Sequence, residues 1–133
     1  MIPSRRVLGA CSAVAIGIGG LLAASVARAD PPGCHVSDPP SMTVTASGLL
    51  VGEGLAYCDS INYRVLTVEV KYQKTFAPDP LTLKGSDVGR KQDYYQSTRG
   101  CDDGSSHPYY ARAYFTNNVT YHDSPTVDRR SCY

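Results

Sequence analysis

The chain has 133 residues, 42% of them hydrophobic, with 13 Lys and Arg against 12 Asp and Glu. That length holds one domain, and charges so evenly matched and interspersed leave no basic patch of the kind that nucleic acid or an anionic membrane surface requires. The features that need a physical account are five cysteines, ten Tyr against two Phe, and no Trp.

Residues 1–29 have the three-part layout of a secretory signal peptide. Arg5 and Arg6 form a charged start, 7–26 is an apolar run rich in Ala and Gly, and Ala27, Arg28 and Ala29 give a small-x-small cleavage pattern before Asp30. A membrane anchor competes with this reading, but Ser12, Gly17, Gly19, Gly20 and Ser25 make the run weakly apolar for a helix that stays in a bilayer. The Arg pair after Ser4 resembles the twin-arginine export signal. Val7, Leu8 and Gly9 depart from that pattern, so Sec export stays open. Leu8, Gly9, Ala10 and Cys11 read like a lipid-attachment box, but one placed before the apolar core instead of after it, and lipidation is rejected. Cleavage removes three basic residues and no acidic ones, leaving 10 Lys and Arg against 12 Asp and Glu, a net charge of about −2.

Cys11 leaves with the leader, and Cys34, Cys58, Cys101 and Cys132 remain. An even number outside the cytosol reads as two disulfides, with three connectivities open. Hairpin geometry favours Cys34 with Cys58 and Cys101 with Cys132, because the first pair is centred beside Ser47 and Gly48 and the second beside Asn117 and Asn118. A zinc site is the rival, and none of the four sits in the close pairs that zinc favours.

In chain order, 30–40 carries four prolines and reads as a linker into a domain over 41–133. Met42, Val44 and Ala46 alternate with polar residues in a first strand. A second, over 49–58, is interrupted by Gly52 and Gly54, which predict a bulge or bend. The strongest strand covers 63–74, with Leu66, Val68, Val70 and Tyr72 on one face. A short edge strand at 81–84, loop at 85–89 and a strand at 91–98 follow. Tyr109, Ala111, Ala113 and Phe115 then alternate with Tyr110, Arg112 and Tyr114, before Asn117 and Asn118 turn the chain back in a hairpin. No 3.6-residue period or capped apolar stripe marks a helix. The expectation is all-β: a small antiparallel sandwich of about seven strands, with a small barrel as the alternative.

The run 109–115, the Asn pair, and then Ser124 and Pro125 resemble the last hairpin of a fibronectin type III or immunoglobulin-like domain. The leader and size resemble small secreted actinobacterial sandwich proteins. The resemblance covers about a quarter of the mature chain and implies an architecture alone; the early-strand Trp of the fibronectin type is missing.

No catalytic constellation or cofactor motif is found. Asp102, Asp103, Ser105, Ser106 and His107 contain the ingredients of a Ser-His-Asp site or a calcium loop, but Gly, Ser and Asp are also what turns use. His122 beside Asp123 and the Asn118 glycosylation acceptor are thin evidence. The ten tyrosines carry more. Tyr110, Arg112 and Tyr114 share the face opposite the small Ala residues, and are expected outward as a candidate binding surface, in competition with plain β-propensity. The resulting expectation is a secreted or envelope module that binds a protein or a surface glycan, with no nucleic-acid partner and no membrane span after cleavage. A protease inhibitor using the loops at 75–80 or 101–108 is the rival, and a small hydrolase built on His107 a third reading.

Overall fold

The computed structural model of the chain describes residues 30–117 and 120–133. The leader and the Asn118 glycosylation acceptor lie outside the described residues, as does the second half of the predicted Asn turn. Seven strands form one antiparallel sheet: β1 (Cys34–Val36), β2 (Ser41–Val44), β3 (Leu50–Tyr72), β4 (Leu81–Gly100), β5 (Ser106–Phe115), β6 (His122–Asp123) and β7 (Val127–Arg130). No helix occurs among the described residues. β1 lies within 30–40, the stretch read as linker, and is held there by the Cys34–Cys58 bridge.

Two expectations change. The strands predicted at 49–58 and 63–74 are one strand of 23 residues, and the two predicted around a loop at 85–89 are one of 20. Together β3 and β4 make a long ribbon, with residues 85–89 paired to 64–68 and not looped out. β4 covers one whole edge of β3. The other edge is divided, with β1 and β2 along its first half and β5 along its second, and β5 carries β6 and β7 on its far side.

The ribbon curls back on itself. Between the pairs Tyr57–Asp93 and Asn62–Lys91, β3 has four residues where β4 has one, and this surplus turns its second half over its first. Gly52 and Gly54 are therefore not the bulge that was expected of them. A Cβ on Gly52 would stand 2.8 Å from Val70 Cγ2, and one on Gly54 would stand 2.7 Å from Val68 Cγ2 and 3.1 Å from Ala113 Cβ. Only hydrogen fits where the halves meet.

The core fills this fold-back. Leu50 and Ala56 face Leu66, Val68 and Val70 of β3 and Tyr109, Ala111, Ala113 and Phe115 of β5, while Tyr94 of β4 meets Phe115 edge-on at 5.8 Å. The sheet margins are drawn together on the side away from β4. His122 lies 2.8 Å from Asp30 Oδ1, and the Cys132 amide donates to Gly48 O at 2.9 Å. The result is a curled half-barrel. Both favoured disulfides form, Cys34–Cys58 across a register pair of β1 and β3 and Cys101–Cys132 at the open end of the last hairpin, with Cα separations of 4.0 and 4.9 Å.

Candidate functional site

The expected stripe of Tyr110, Arg112 and Tyr114 lies on one face of β5, opposite Tyr109, Ala111, Ala113 and Phe115, which are buried as anticipated. The expectation that the stripe is open is wrong. Tyr110 is 4% exposed and Tyr114 8%. Alternation placed them correctly on the far face, but it could not show what the rest of the chain lays over that face.

Tyr110 donates its hydroxyl to Asp79 Oδ2 at 2.7 Å, and Tyr114 donates to Glu69 Oε2 at 2.8 Å. The Arg112 guanidinium donates from Nε and Nη2 to the two carboxylate oxygens of Asp123, at 2.8 and 2.9 Å. It also sits over the Tyr121 ring at 4.2 Å and near Tyr110 at 5.7 Å. A half-buried cation is stable here because its partner is bidentate and its flanks are aromatic. This face is a locked polar layer.

Burial, and then the adjoining carboxylates of Asp79 and Glu69, push the Tyr110 and Tyr114 hydroxyls above their ordinary range. Burial likewise pushes Tyr109 up to about 12, reinforced by Asp102, whose Oδ2 accepts its hydroxyl at 2.8 Å. The Asp123 carboxylate raises Arg112 further. The Tyr110 hydroxyl, with the Lys74 amide, holds Asp79 below its ordinary value. Each raised tyrosine keeps its proton in the folded chain at a pH where the unfolded chain loses it, so its contribution to stability is full below pH 10 and is lost as pH rises toward 12. Phenolate absorbance should therefore show a late class of tyrosines that ionises together with loss of the folded circular dichroism signal; all ten ionising before unfolding would contradict this.

The three histidines contact different partners. His107 lies 3.4 Å from Asp103 and stacks on Tyr72 at 3.9 Å, His35 packs on Tyr57, and His122 is held by Asp30 and, at 3.7 Å, by Asp38. Among the described residues no serine hydroxyl is hydrogen-bonded to His107. Asp102, Asp103 and His107 bring ligand atoms within 4.8 Å of one another, a set able to hold a divalent cation. The same oxygens already serve a turn, since Asp103 Oδ1 accepts the Ser105 amide and Asp102 the Tyr109 hydroxyl.

The open aromatic surface lies elsewhere. On the outer face of the first half of the ribbon, Leu55 and Tyr57 of β3 and Tyr95 of β4 are each about half exposed, and Leu55 and Tyr95 are register partners. The Tyr95 hydroxyl donates to Glu53, and Tyr57 leans on His35 with ring centroids 5.1 Å apart, so both rings are held in place. A groove of about 540 Å³ runs past Leu55, Tyr57 and Tyr95 to Asp87, Lys91 and Asp93. A second, of about 250 Å³, continues from Leu55 and Tyr95 to Pro39, Pro40 and Glu53. Burial opposes ionisation of Asp87, yet the Lys91 ammonium at 2.6 Å and the Tyr95 amide at 2.8 Å hold its carboxyl below the ordinary range.

This surface was missed because the strand over 49–58 was read only for its glycine interruptions, with no face assigned to Leu55 or Tyr57. The signal for the choice of face was present. Gly52, Gly54 and Ala56 form a period-two row of small residues, and small residues mark the side where another layer approaches.

No protein-family model matches the chain, and no curated protein matches it. No helix among the described residues is long and apolar enough to cross a membrane.

Proposed function

We propose that the chain is a secreted, disulfide-braced β-sandwich module that binds another protein through the face of Leu55, Tyr57 and Tyr95. The observation that carries this is the pair of half-exposed tyrosines flanking an exposed Leu, each ring held by a neighbour. Pre-positioned aromatic side chains lose little entropy on docking and serve as interface anchors. Two disulfides support an oxidising compartment, and the face-to-face packing around Gly52 and Gly54 favours a sandwich over a barrel.

The inhibitor reading is weaker. A loop that enters a protease cleft as substrate does is extended, whereas Phe76, at the tip of the 73–80 loop, has φ of 59°.

The test is a triple variant, Leu55→Ser, Tyr57→Ser and Tyr95→Ser, immobilised beside the wild type and exposed to envelope and culture fractions of the source cells. Its melting temperature should stay within a few degrees of wild type, since all three positions are half exposed. A protein retained by the wild type should bind the variant at least tenfold more weakly, the scale of losing anchor residues. Equal retention by both would remove the reading, and displacement by oligosaccharides from the same envelope would transfer it to a glycan.

A further inference from the structure

We infer that a second copy of the chain occupies this face, its Phe76 seated in the groove of Pro39, Pro40, Leu55 and Tyr95. The inference rests on the docking role proposed above and names the occupant. Phe76 is the most exposed large hydrophobic residue described, at 103% of its reference area, and it is a bulky residue in the left-handed region of backbone space. Such a conformation is unfavourable for an aromatic residue and persists only where the surrounding chain imposes it. Here it does. The Lys74 amide donates to Asp79 Oδ1 at 3.1 Å, Asp79 Oδ2 accepts the Tyr110 hydroxyl at 2.7 Å, and the Gln73 amide donates to Pro108 O at 3.1 Å. Tyr110, from the polar face of β5, and the Pro108 carbonyl thus anchor a loop whose tip displays one ring to solvent.

The groove is the matching concavity. Its walls are the apolar surfaces of Pro39, Pro40, Leu55 and Tyr95, and its volume of about 250 Å³ exceeds the roughly 150 Å³ of apolar cavity known to take up a benzene ring. Charge agrees with shape. Glu53 stands in the groove wall, and its carboxylate, engaged by one phenol, retains acceptor capacity for an ammonium. Lys74 lies two residues before Phe76 and forms no ion pair among the described residues. A knob with a lysine beside it therefore faces a hole with a glutamate in its wall, and both are carried by one chain.

Because knob and hole are different patches, copies associate either reciprocally, as a closed two-fold pair with two contacts, or head to tail into a ring or an open row. This gives a test that a stability effect cannot imitate. Phe76→Gly removes the knob while favouring the same loop shape, since Gly takes positive φ freely. Leu55→Arg blocks the hole and leaves the knob. Sedimentation velocity from about 1 μM to about 1 mM spans the affinities expected of such a contact. Wild type should associate as concentration rises, stopping at a dimer if the pair closes reciprocally and growing beyond it if the copies run head to tail. Each variant alone should stay monomeric, and an equimolar mixture should form a dimer and nothing larger, because it contains one intact knob and one intact hole. A monomeric wild type, a monomeric mixture, or association unchanged by Phe76→Gly would overturn the inference. If the wild type is monomeric while the triple variant still loses its retained protein, the docking face stands and the second copy is not its occupant.

Discussion

Reducing both disulfides is expected to unfold the protein at 37 °C. The bridges span 24 and 31 residues, and in the chain-entropy model each stabilises by about 3.5 kcal/mol. Their joint loss, about 7 kcal/mol, is comparable with the whole stability of an ordinary small domain, about 5 to 15 kcal/mol. The core gives little reserve. The residues that let the two halves of the ribbon approach are Gly52, Gly54, Ala56, Ala111 and Ala113, and such side chains bury far less apolar area than Leu or Phe. Thermal melts followed by circular dichroism, with and without reductant, check this. A reduced chain melting within a few degrees of the oxidised one would show that the core suffices alone.

Phe115→Ala should produce the largest loss from a single core substitution, about 3 to 5 kcal/mol, or a fall in Tm of roughly 15 °C or more. Phe115 is fully buried and meets Tyr94 edge-on, and its β5 neighbours on that face, Ala113 and Ala111, are too small to collapse into the space it would leave. The comparison is Tyr114→Phe on the opposite face, which keeps the ring and removes only the hydroxyl that Glu69 accepts. Its melt should fall between wild type and Phe115→Ala. The reverse order would mean that the polar layer, not the apolar one, holds β5 in place.

Much of the frame was legible from local rules. The period of two in 109–115 assigned both faces of β5, and the turn positions between cysteines identified both bridges, because each hairpin brings its ends together. What failed were inferences from punctuation. Gly85 and Gly89 read as loop because glycine usually ends a strand, yet in this chain they continue one, and at Gly85 β4 lies close against Gln96 and Thr98 of its own second half. Asp59 and Ser60 likewise read as a break between strands and are instead part of the surplus that turns a continuous one. The candidate site failed for a related reason. Whether a strand face is open depends on what arrives from elsewhere, and nothing in the alternation of Tyr110, Arg112 and Tyr114 announces Asp79, Tyr121 and Asp123.

β3 and β4 each run through both halves of the fold without interruption. Neither half therefore owns its strands, and a tear that begins in one is carried into the other along the same two lengths of chain. Among the described residues the sheet has no natural place at which to be cut into smaller folding pieces, since any boundary drawn between the halves severs both long strands at the bend. Its modularity begins and ends with the whole domain.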